Sequence, residues 1–170
     1  FDGASGHDIL DVNLRWAMTS VQVDLNNEGA EVIYEDVNIT GFEDFLQVFT
    51  GSADDRVVAT SLLLTNGRRN DFYMSGGTDT FEADFSDLQR AAGDTSTDGV
   101  SLSADSRFWI HYENTEVAYV QDAELFDITG TNYDDHFALN GTGQRFDGAS
   151  GHDILDVNLR WAMTSVQVDL

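Results

Sequence analysis

The stretch FDGASGHDILDVNLRWAMTSVQVDL fills Phe1–Leu25 and recurs letter for letter at Phe146–Leu170 of a chain of 170 residues. Identity extends to surface-type positions, Asn13/Asn158 and Gln22/Gln167, that a fold alone would let drift. Self-similarity at a fixed period is the mark of repeat architectures. The reading is of one full tandem repeat, residues 1–145, followed by the start of the next identical repeat at 146–170.

Outward from that stretch, the letters describe strands. "SVQVDL" alternates Val21, Val23 and Leu25, and "AEVIYEDVNITG", "DRVVATSLLL" and "SRFWIHYENTEVAYV" are rich in β-branched and aromatic residues. Gly, Asn, Asp and Ser lie between these runs, and proline, which removes a ladder donor, is absent. "SDLQRAAGD", near Asp87 to Asp94, is the one segment with the look of a helical turn. Large apolar residues fall at steps of nine through Ile110, Tyr119, Ile128, Phe137, Phe146 and Leu155, with Phe1/Leu10, Phe49/Val58 and Phe72/Phe81 keeping the same step earlier. The halves, about 1–71 and 72–145, echo each other: "FTGSADDRVVAT" resembles "ITGTNYDDHFAL", and "GHDILDVNL" resembles "GTDTFEADF". Two short strands and two turns in about eighteen residues would stack one apolar position on the next. The expected fold is therefore all-β, a parallel β-roll or β-helix solenoid built from degenerate nonapeptide rungs. An Ig-like β-sandwich repeat is the alternative.

Composition narrows the function. A content of 41% hydrophobic residues argues for a folded core despite a net charge of −23. With no cysteine, the staples must be packing, hydrogen bonds or a metal. Thirty-one acidic residues against eight basic ones, all Arg, exclude a nucleic-acid-binding stripe and disfavour an anionic membrane. No stretch is long and apolar enough to insert in a membrane, and nothing at Phe1 resembles a signal peptide, which leaves export open.

"GASGHDILD", Gly3 to Asp11 and again Gly148 to Asp156, resembles the RTX nonapeptide Gly-Gly-x-Gly-x-Asp-x-large-x, with Ala4 or Ala149 in place of the second Gly. The resemblance implies a calcium-binding turn and, with the acidic, cysteine-free repetition, a giant bacterial surface adhesin exported by type I secretion. One ion between two turns needs Asp residues a rung apart, and Asp135 and Asp153 are so spaced. They are expected to share Ca2+, with carbonyls of Gly130, Asn132, Gly148 and Ser150 as co-ligands. Asp8 would bind once a preceding repeat supplies its partner. Asp79 is a weaker candidate, facing either metal or Arg56, which the simple offset sets opposite Asp135.

The expected role is a structural repeat of an extracellular adhesin or surface fibre: a stiff, calcium-stabilised stalk advancing on the order of 35 Å per period. Its partners would be neighbouring identical repeats, with lateral filament association open to test. A polysaccharide-active β-helix enzyme, or its non-catalytic accessory module, is the alternative, with Asp54-Asp55-Arg56 and Asp134-Asp135-His136 as acid-bearing triplets. No catalytic residues are expected. His7, His136 and His152 read as solvated, Trp16, Trp109 and Trp161 as core or repeat interface, and Asn66–Asp71 as a protruding loop. Asn38-Ile39-Thr40 matches a glycosylation sequon, a weak signal.

Overall fold

A computed structural model describes residues 2–26, 29–42, 44–60, 69–90, 95–104, 107–112, 115–140 and 144–158. The strands are β1 (Ile9–Asn13), β2 (Gln22–Asn26), β3 (Gly29–Tyr34), β4 (Val37–Phe42), β5 (Asp44–Phe49), β6 (Arg56–Ala59), β7 (Asn70–Tyr73) and β8 (Thr80–Asp84). They continue with β9 (Asp98–Ala104), β10 (Arg107–Tyr112), β11 (Thr115–Gln121), β12 (Leu125–Thr129), β13 (Asp134–Asn140), β14 (Gln144–Asp147) and β15 (Ile154–Asn158). The chain is all-β and its strands form two mixed sheets that do not close into a barrel. The first sheet runs β1-β5-β7-β11-β10-β9-β13-β15 and the second β14-β12-β8-β6-β2-β3-β4.

From β4 to β8 and from β11 to β15 the chain changes sheet at every strand, and β5 with β7, β6 with β8, β12 with β14 and β13 with β15 pair parallel, as does β8 with β12. The expectation of parallel pairing throughout is corrected at two meanders. β2-β3-β4 lies in the second sheet and β9-β10-β11 in the first, each antiparallel. Only two residues separate the strands at each of these four turns. Two residues can close a hairpin but cannot carry a chain back to a parallel start. At the β3–β4 turn Glu35 has φ 53°, the left-handed backbone such tight turns use.

The inward faces meet in one apolar core. Phe72 of the first sheet packs on Phe81 of the second, and Phe108 on Phe126, with Ile110, Ile128, Val57 and Leu25 buried among them. The nine-residue step fits Ile110, Ile128, Phe137, Phe72 and Phe81 as core residues, whereas at Tyr119 the neighbours Ala118 and Val120 join the core and the Tyr119 ring packs on Tyr73 and Trp109. The step slips by one at Phe49/Val58, where Val48 and Val57 are the buried residues. Phe49 instead stacks on Tyr73 at 4.5 Å, under the Arg15 guanidinium at 3.7 Å. The described part of the segment read as a helical turn, Ser86–Arg90, is a turn closed by Leu88 N–H to Phe85 O; residues 91–94 lie outside the described residues.

The two copies of the opening stretch adopt one conformation over their described residues. Ala4 and Ala149 have φ 68° and 61°, Gly6 and Gly151 142° and 133°, and β1 and β15 have matching bounds. In both, the Asp before the turn accepts the N–H two residues on: Ala4 to Asp2 at 2.9 Å, Ala149 to Asp147 at 3.1 Å. A local sequence that specifies its own turn so completely explains why the copies agree although their neighbours differ. Residues 159–170, with Trp161, lie outside the described residues.

Candidate functional site

Several strands are entered through an acidic residue, and these acids align into two columns, one along each sheet. In the second sheet, Val21 N–H donates to Asp55 Oδ1 (2.8 Å), Asp55 N–H to Asp79 Oδ1 (2.8 Å) and Asp79 N–H to Glu124 Oε2 (2.8 Å). In the first sheet, Val100 N–H donates to Asp135 Oδ1 (2.5 Å) and Asp135 N–H to Asp153 Oδ1 (3.0 Å). Each carboxylate thus bridges to the strand beside it. Asp55 and Asp135 also reach back within their own turns, accepting Gly51 N–H (3.1 Å) and Thr131 N–H (2.7 Å). Backbone groups at strand entry lack a ladder partner, and a buried N–H left unpaired costs about 1–3 kcal/mol.

The sequence pairing of Asp135 with Asp153 is reproduced in space, but through a backbone N–H. Asp135 is 1% exposed, and its oxygens take a third donor, Thr131 Oγ1 at 3.0 Å. Three of the roughly four acceptor directions of this carboxylate are thus taken by N–H and O–H donors, which leaves it less open to a cation than a bare carboxylate. Gly130 and Gly148 back directly onto the carboxylates of Asp135 and Asp153, where a Cβ would collide. Ser150 N–H reaches Thr131 O (3.4 Å), and the Asn132 side chain donates to Ser86 O (3.0 Å). Asp8, the counterpart of Asp153, is half-buried beside Gly3. Among the described residues, no three His, Asp or Glu side chains converge as a metal-binding group.

The counterpart of Asp135 is Asp55, not Arg56. The structural offset is 80 rather than 79, since each acid accepts the N–H four residues before it, from Gly51 and from Thr131. The neighbouring contacts agree: Thr78 N–H donates to Asp54 Oδ1 (2.8 Å) as His152 N–H does to Asp134 Oδ1 (2.9 Å). Gly77 and Gly151, with φ 138° and 133°, lie against the carbonyls of Ala53 and Tyr133. Arg56 pairs with Glu82 of β8, at 2.8 and 2.6 Å, rather than with Asp79. Glu124 is a column member that the sequence reading missed. Its signal was available, since Asp55, Asp79, Glu124 and Asp153 each immediately precede the first residue of a strand.

Asp79 breaks the pattern. It is fully buried, Oδ1 accepts the Asp55 N–H, and Oδ2 has no hydrogen-bond partner. Burial pushes its carboxyl up to about 7; the Asp55 N–H opposes that rise, and the charges of Asp55, Glu124 and Asp54 add to it. Asp135 is also raised by burial, against the pull of its three donors. A bare buried carboxylate oxygen under the exposed Glu124 and Asp54 is a place where a proton or a cation gains most.

Other singled-out residues have local roles. Residues 66–68 of the expected loop lie outside the described residues, while Arg69 joins Asp71 and Glu116 and lies over the ring of Trp109 at 4.8 Å. That ties β7 to β11 and β10 within the chain, and the carboxylates raise the guanidinium pKa. Trp16, expected in core or interface, is 92% exposed in this chain. His136 and His152 line an open groove of about 600 Å3 with His111, Asp98, Ser101 and Asp134. The His152 N–H holds the Asp134 carboxyl below its ordinary value, as does a hydrogen bond from Thr97. No protein-family model matches the sequence, and no characterised protein or solved structure matches it significantly.

Proposed function

We propose that the chain is a structural repeat of a long extracellular fibre or surface adhesin, in which solenoid-like rungs stack into a stiff stalk. The observation that carries this reading is the opening stretch: its two identical copies adopt the same turn and strand at opposite ends of the first sheet. A fold that reproduces its own start at its far end can be extended indefinitely, and stability then adds along the axis. Acidic composition without cysteine suits an exported filament held by packing and hydrogen bonds. Chains of one, two and three periods test this by small-angle scattering. Rod profiles whose length grows linearly with copy number support the stalk; collapsed globules contradict it.

Calcium, implied by the nonapeptide, belongs to the same proposal, with Asp79 Oδ2 as the oxygen that would meet the ion and the charges of Glu124 and Asp54 drawing it in. Bound there, it would offset the repulsion in the column and add stability to the already folded chain in a calcium-rich exterior.

A further inference from the structure

Asp2–Asn13 and its identical copy Asp147–Asn158 show opposite sides of one junction. At one end β1 lies parallel against β5, and Asp2 bridges Thr40 of β4. At the other end β15 lies parallel against β13, and β14, which finishes at Asp147, lies parallel against β12. The pairings along the first sheet set β1, β5, β13 and β15 all in one direction. With the same face turned to the core, β5 therefore covers one edge of the repeated strand and β13 covers the other.

We infer that the chain carries both halves of a single seam, and that the partner of each open end is another copy of the same sequence joined strand to strand. The first sheet continues as β13, the shared strand, then β5 of the following copy. The second continues as β12, β14, then β4 of that copy. The inference rests on the tandem reading and adds its register: the shared Asn meets Asn140 on one side and Phe49 on the other.

Burial supports the seam independently of sequence. Val12 is 4% exposed while Val157, the same residue of the motif, is only half-buried; Leu10 packs on the core while Leu155 is 45% exposed. The second copy looks like the first with its following neighbours removed.

Strand counting gives the duplication a purpose. Among the described residues, one period contributes seven strands to the first sheet, β1 through β13 in spatial order, and seven to the second, β4 through β14. Each meander adds two strands to one sheet alone. A period with only one meander would put that sheet ahead by two strands, about 10 Å, at every repeat. One meander per sheet keeps the two in step, and seven strands advance the array by about 34 Å.

Hydrogen exchange on a two-period chain, residues 1–145 followed by the complete 170-residue chain, tests the seam. Leu14 N–H donates to Phe49 O, so by strand alternation the amides of Asp11 and Asn13 face the edge opposite β5. In the first copy they should exchange as an open edge. In the copy at the junction they should exchange at least ~100-fold more slowly, and scattering should show a gain of about 34 Å in length. Equal exchange in both copies overturns the seam even where the particle lengthens linearly, which leaves the fibre reading standing. Slow exchange in a compact, non-extending particle would instead remove the fibre reading.

Discussion

The two carboxylate columns use one device with different completeness. At Asp135 three donors meet two oxygens, and the turn Gly130–Asp135 is closed around a satisfied acid. At Asp79, equally buried, one oxygen has no hydrogen bond and three further carboxylates stand nearby. The contrast teaches that an acid in such a column is a structural acceptor where donors fill it and a point of chemical sensitivity where they do not. Net charge alone does not tell the two apart, since both columns are strongly acidic.

Breaking the complete column should have the largest effect. Asp135→Ala strands two backbone N–H groups and a hydroxyl in a buried turn, a loss of about 3–5 kcal/mol. Thermal unfolding should shift down by roughly 10 °C for a chain of this size. Gly130→Ala pushes a methyl into the same carboxylate and should cost about 1–3 kcal/mol, whereas Gly76→Ala, with open space before its Cβ, should be close to neutral in the same melts.

The incomplete column should respond to pH with the opposite sign from an ordinary paired acid. The Asp79 carboxyl lies at about 7 in the folded chain against an ordinary 3.8, so the folded state binds the extra proton between those values. Stability from this group therefore falls as pH rises from about 4 to about 7, then levels. Asp79→Asn should raise the melting temperature at pH 8 by about 2–4 °C and change it little at pH 4. Smallest of all, Arg56→Ala removes an exposed pair with Glu82 and should cost at most about 1 kcal/mol, diminishing with salt.

Much of this arrangement was written in the letters, and the losses have identifiable causes. The all-β class followed from the alternation around Val21–Leu25 and the absence of proline, and the eighteen-residue spacing of Asp135 and Asp153 foretold their adjacency. The meanders were missed because the nine-residue step attends to apolar residues, while the hairpins are dictated by two-residue gaps such as Glu35-Asp36. Asp55 was passed over because matching the Thr-Gly letters at Thr50-Gly51 and Thr129-Gly130 sets the offset at 79, one short of the 80 at which the two turns make the same contacts. What an acid's oxygens face, whether an N–H, a cation or nothing, depends on the strand alongside, and spacing within one strand does not reveal it.

The most direct measurement is the melting of the 170-residue chain at pH 8, in chelator and then with Ca2+, using Mg2+ as control, for the unchanged sequence and for Asp79→Asn and Asp135→Ala. If the columns are backbone acceptors with a deficit at Asp79 alone, the unchanged chain is folded in chelator. Ca2+ then raises its melting temperature, Asp79→Asn removes that gain, and Asp135→Ala is destabilised with or without the ion. A chain that is unfolded in chelator, or a calcium gain that vanishes with Asp135 but survives Asp79→Asn, would contradict this and make Asp135 a metal ligand rather than a strand-to-strand acceptor.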